Sequence, residues 1–131
     1  MQVIQNEGDP YTWDQCWLRE ELNSDSFMNN LFTLEERAKI CLTTVHTEGS
    51  QDWDQEGGED VDCYLFIPAV EEIRQYLPER EQNGLEEQRY WLRNPDFTDG
   101  YIAYVFVGGG LGVNEATAWS GVRLMMWVDI G

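Results

Sequence analysis

The sequence predicts an α+β domain, with two to three short helices packed on a twisted antiparallel sheet. Three observations predict it. Two capping-box patterns and an i, i+3, i+7 apolar spacing lie in the first two-thirds of the chain. Runs rich in β-branched and aromatic residues, divided by glycine turns, fill the last third. The chain has 131 residues, 42% of them hydrophobic, enough for one core and one domain spanning 1–131.

The elements follow in order. Residues 2–5 read as a short strand that Asp9-Pro10 breaks. Thr12-Trp13-Asp14-Gln15 reads as a capping box, with Thr12 as N-cap and Gln15 reaching back. The helix it opens runs to Asn23, and Ser24-Asp25-Ser26 ends it. Phe27, Met28, Leu31 and Phe32 form a second apolar cluster. Thr33-Leu34-Glu35-Glu36 is a second capping box, opening a helix to Cys41. Leu42–His46 is β-prone, and 47–62 is an acidic loop.

Cys63–Ile67 reads as an apolar strand. Pro68 suits the first turn of a helix carrying Val70, Ile73 and Leu77, which Pro78 closes. A charged loop with Asn83-Gly84 follows. Strands are expected at Tyr90–Arg93, Tyr101–Val107 and Val122–Ile130, with turns at Asn94–Gly100 and Gly108–Gly112. In the last strand Val122, Leu124, Met126, Val128 and Ile130 share one face.

Charge excludes some functions. Twenty-five acidic residues face eight basic ones, for a net charge of -17. A chain without a basic footprint does not bind nucleic acid unaided, and anionic membrane surfaces repel it. No apolar run approaches the ~18 residues of a membrane span. The first residues lack the basic start and apolar stretch of a signal peptide. A cytoplasmic protein is the default expectation; a domain of a longer exported protein is the other. Cys16, Cys41 and Cys63 sit in apolar contexts without metal-site or CxxC spacing, so buried free thiols are expected. One disulfide plus one free thiol is the alternative.

Candidate chemistry is sparse. Asp52, Asp54, Glu56 and Gly57 imitate the start of a calcium loop, but Cys63 stands where the closing Glu belongs. A solvated loop is expected. Gly108–Gly112 lacks GxGxxG spacing and any lysine, and reads as a tight turn. His46 is the only histidine and is expected at a strand edge. Glu35-Glu36, Glu71-Glu72 and Glu86-Glu87 read as solvated faces. No cofactor and no metal site is expected.

Two turns carry amphipathic aromatics beside short polar groups, which suits a recognition surface. One holds Asn94, Asp96, Phe97, Asp99 and Tyr101; the other holds Asn114, Glu115, Thr117 and Trp119. Trp13, Trp91 and Trp127 are assigned to the core. Arg93 and Arg123 each fall in an apolar strand, where a buried arginine must be paired. Carboxylates of the early helices, Glu20 or Glu35, are the expected partners.

Several blocks resemble a bacterial family of domains, DUF6273. The first runs from Trp13 through Leu18-Arg19 to Leu22-Asn23, then Phe32 and Glu36. Then come Leu65-Phe66-Ile67, Tyr90-Trp91-Leu92-Arg93-Asn94-Pro95, Ala103-Tyr104-Val105 and Gly121-Val122-Arg123. The family pattern is roughly W-x-x-S-x-L-R-x-W-L-N, F-x-x-x-E, F-L-L-S, W-W-L-R-S-P, A-Y-V and G-V-R-P-A. Cys16, Glu21, Pro68 and Leu124-Met125 depart from it. The resemblance implies a C-type-lectin-like fold, similar also to formylglycine-generating enzymes, that displays ligands from late loops. Copper-binding cysteines late in the chain are missing, so oxidase chemistry is not implied. Fewer strands precede Trp13 than is usual, which implies a trimmed domain or a sheet completed by a partner domain or a second copy.

The function expected is a non-enzymatic recognition module whose loops 94–101 and 108–120 bind a protein or a glycan. A variable protein of a diversity-generating retroelement would use the same segment. A carboxylate-based hydrolase and a purely structural domain are the readings from other classes.

Overall fold

The computed structural model describes residues 1–49, 57–77, 88–96 and 100–131. It is α+β, with four short helices and two small antiparallel sheets among the described residues. The helices are α1 (Trp17–Leu22), α2 (Asp25–Leu31), α3 (Leu34–Lys39) and α4 (Val70–Tyr76). The strands are β1 (Thr43–Val45), β2 (Val61–Cys63), β3 (Tyr90–Pro95), β4 (Tyr101–Val105) and β5 (Leu111–Glu115).

α1 starts four residues later than the Thr12 pattern predicts. The Thr12 hydroxyl donates to Asp14 Oδ1 at 2.8 Å instead of capping a helix. Its carbonyl accepts from the Gln15 and Cys16 amides, which makes a turn, and Cys16 becomes the N-cap. Ser24 begins a helix rather than ending one. Its Oγ accepts from Phe27 N, so the expected terminator is the N-cap of α2.

α3 opens on the expected capping box. Thr33 Oγ1 accepts from Glu36 N at 3.1 Å, and Glu36 accepts in return from Thr33 N at 2.9 Å. The bond from the Thr33 amide, first, and the Thr33 hydroxyl beside it hold the Glu36 carboxyl below its usual range. α4 carries Val70 and buried Ile73 as predicted, but Ala69 is its N-cap and Pro68 lies just outside. Pro78 lies outside the described residues.

β1 and β2 pair antiparallel, with Thr44 opposite Asp62. Tyr64–Ile67 is not a strand; within it Phe66 makes one isolated bridge to Met125. β3, β4 and β5 form the second sheet in that order. Gly108 (φ +99°) and Gly109 (φ +95°) turn the chain between β4 and β5, and a strand follows them as expected of a turn. The terminal apolar run is not one strand either. It straps three parts of the molecule, through bridges from Gly121 to Tyr90, Met125 to Phe66 and Val128 to Ile40. Residues 2–5 are irregular, because the Val3 and Ile4 amides both donate to one carbonyl, that of Ala116.

Alternation along β3 gives the sheet two apolar faces. Trp91 and Ile102 join Leu18, Leu22, Met28 and Leu65 in the main core. Tyr90, Leu92 and Val105 pack with Ile73 of α4 on the other side. Each such side chain contributes about 1.5–3 kcal/mol when fully buried. Trp13 and Trp91 are buried, but Trp127 is 56% exposed, against expectation. The strap's bridges use its backbone and leave that indole outside. All three thiols are free; Cys16 and Cys63 are buried and Cys41 is half-buried. Burial pushes the Cys16 thiol up to about 11 and raises Cys63 as well. Among the described residues no helix is long and apolar enough to cross a membrane.

Candidate functional site

Arg93 is the centre of the polar interior. It is 5% exposed and lies on β3, as its apolar neighbours require. Its partner is Glu72 on α4, not Glu20 or Glu35 of the early helices. Nε donates to Thr47 Oγ1 at 3.2 Å, Nη1 to the Ile67 carbonyl at 2.7 Å, and Nη2 to the His46 carbonyl at 2.8 Å. The guanidinium also lies 5.7 Å from the Phe66 ring centre. Glu72 simultaneously accepts from Ala69 N at 2.9 Å, capping α4. One buried cation thus joins β1, the 65–68 segment, β3 and α4.

Its neighbours work the same way. Asn94 Oδ1 accepts from Val70 N at 2.8 Å, and its Nδ2 donates to the Glu48 carbonyl. Trp91 Nε1 donates to the Met1 carbonyl at 2.8 Å. Gly121 sits where a Cβ would lie 2.7 Å from the Arg89 carbonyl, and its own carbonyl accepts from Trp91 N. Arg123 is exposed and in no strand; its guanidinium stacks 4.4 Å from the Tyr90 ring centre. Sequence reasoning missed Asn23, whose Oδ1 accepts from Tyr64 N and Leu65 N while Nδ2 donates to the Leu65 carbonyl. It also missed Thr47, which is buried, and the helix-capping spacing Ala69–Glu72 that marks the arginine's partner.

The late surface is less committed. Tyr101 and Glu115 face each other across β4 and β5, and the phenol donates to Glu115 Oε1 at 3.2 Å. The nearby carboxylate charge, first, and the hydrogen bond hold the Tyr101 phenol above its usual range. Asn114 lies opposite Ile102 and so points to the other face; its Oδ1 accepts from Glu115 N. Thr117 is held by a Gln2 side chain donating to its carbonyl at 2.6 Å. Trp119 is 68% exposed, and its carbonyl accepts from Arg89. Asp96 is half-buried and its amide donates to the Tyr101 carbonyl. Phe97 and Asp99 lie outside the described residues. The structure therefore brings Tyr101 and Glu115 together, and sets Asn94 apart as the cap of α4.

A groove of about 330 Å³ opens beside the Arg93 cluster. β1, the first turn of α4 and Trp127 line it. At its rim His46 is exposed, as expected of a strand edge. Its Nδ1 meets Asp60 at 2.6 Å and its Nε2 meets Glu48 at 3.0 Å. Asp60 first, then Glu48, raises its pKa. The two carboxylates sit on opposite ring nitrogens, and no described group of three ligating side chains can hold a metal ion. The calcium-loop oxygens Asp52, Asp54 and Glu56, and the Glu86-Glu87 pair, lie outside the described residues.

A family model described as "Domain of unknown function (DUF6273)" matches residues 2–130. No curated protein and no solved structure matches the chain.

Proposed function

The chain belongs to the DUF6273 family, and from that premise we propose a non-enzymatic recognition module that binds a protein or a glycan through Tyr101, Glu115 and Trp119. The exposed Trp119 carries this reading. It follows Ala116, whose carbonyl holds Val3 and Ile4, and precedes Gly121, locked between Arg89 and Trp91. A large amphipathic ring on a fixed backbone loses little entropy on binding. Four residues before it in sequence, Glu115 accepts from Tyr101 and offers an oriented acceptor.

The fold reading that goes with it is C-type-lectin-like. A variable protein of a diversity-generating retroelement would use the same 111–120 segment. A reverse-transcriptase gene beside a near-copy of the 3′ coding sequence would identify one.

The test uses wild type, Trp119→Ala and Tyr101→Ala on a glycan array and a displayed-peptide library. Wild type is expected to yield a binder that both variants lose by about tenfold or more, as aromatic hot spots do. The unfolding free energy of Trp119→Ala from urea titration is expected to stay within about 0.5 kcal/mol of wild type, as for surface substitutions elsewhere. Binders that keep full affinity in both variants would sink the proposal.

A further inference from the structure

We infer that the groove between β1, α4 and Trp127 is a second site, built for a cationic side chain or small organic cation. Three observations carry it. First, Trp127 lines the groove, and its backbone is tied down: its carbonyl accepts from Cys41 N at 2.8 Å, and Met125 and Val128 bridge to Phe66 and Ile40. A 56% exposed indole on a tethered backbone is a ready face for a cation.

Second, carboxylates outnumber cations at and beside the groove: Glu48, Asp60, Glu71 and Glu72 face only Arg93 and His46 among the described residues. Arg93 neutralises Glu72, and His46 lies between Glu48 and Asp60. The Glu71 side chain, exposed at the same groove, makes no ion pair or hydrogen bond among the described residues. An anionic ligand would meet Glu48, Glu71 and Glu72 together; a cation meets Glu71 and the indole. Third, about 330 Å³ is the low end for a ligand pocket and suits one guanidinium or ammonium group with its stem, not an oligosaccharide. The net charge of -17 draws cations toward it at low salt.

The probe is acetyl-arginine methylamide, with its neutral isostere acetyl-citrulline methylamide and glucose as controls. The protein carries 5-fluorotryptophan, and Trp127→Phe assigns the resonance by ¹⁹F NMR. Expected is a saturable shift of the Trp127 signal with the arginine probe alone, weakened about tenfold in Glu71→Gln and by raised salt. Both substituted side chains are exposed, so the fold is kept. No shift of Trp127, an equal response to citrulline or glucose, or a response confined to other tryptophans would overturn the inference. Trp119 carries its own fluorine, assigned in the same way by Trp119→Phe, so this outcome is independent of the late-surface proposal.

Discussion

β3 and the turn after β5 lie on the same sheet and treat polar groups in opposite ways. On β3, Trp91, Arg93 and Asn94 each direct a side-chain donor or acceptor to a named backbone atom or buried partner. After β5, Trp119 places its ring in water and engages only its backbone. The blocks that carry the family resemblance are thus the blocks that hold the frame. Function is to be sought where the frame leaves side chains free, and a family signature of this kind identifies a fold without marking its site.

Removing Arg93 attacks the committed region most directly. Arg93→Met leaves Glu72, Thr47 and two carbonyls without their donor, and loss of one partner of a buried pair costs about 3–5 kcal/mol. Urea unfolding should show that loss; a change under about 1 kcal/mol would erase the contrast with the late surface. Asn23→Ala comes next. It leaves the Tyr64 and Leu65 amides unsatisfied, for an expected loss of about 1–3 kcal/mol by the same measurement.

The smallest effect is at the rim, where His46 joins the committed region through its carbonyl and solvent through its ring. Its imidazole should titrate above 6.5, with ring-proton NMR as the readout, and fall toward that value in Asp60→Asn. Because the folded value is raised, the clamp's contribution to stability is complete below pH 6.5 and fades as pH climbs through the folded value. A titration at or below 6.5 would place His46 outside the clamp.

Local signals were legible in the sequence where their partners were local. Thr33 and Glu36 lie three residues apart, and their reciprocal bonds could be read directly. Thr12 and Gln15 have the same spacing, yet Asp14 competes for the Thr12 hydroxyl and no helix starts there. Ser24 was ambiguous because the same residue type stops one helix and caps the next. The burial of Arg93 was legible from its apolar neighbours; its partner Glu72 was not, because only the packing of α4 on β3 selects one carboxylate among many. The alternation of residues 122–130 reads as a strand, but with Gly121 the segment serves three different partners in turn. Among the late polar and aromatic turn residues, the use of Asn94 as a cap and the exposure of Trp119 are set by tertiary packing and needed the structure.

That strap has a kinetic consequence. Ile40 and Phe66 lie far in sequence from their bridge partners Val128 and Met125. These contacts therefore close long loops, whose entropy must be paid before any bond rewards it. The molecule should collapse around α1 and the β3–β5 meander first and wait for the strap to zip. Until then the 40 and 66 segments stay open to passing chains, and a molecular chaperone would find its target there.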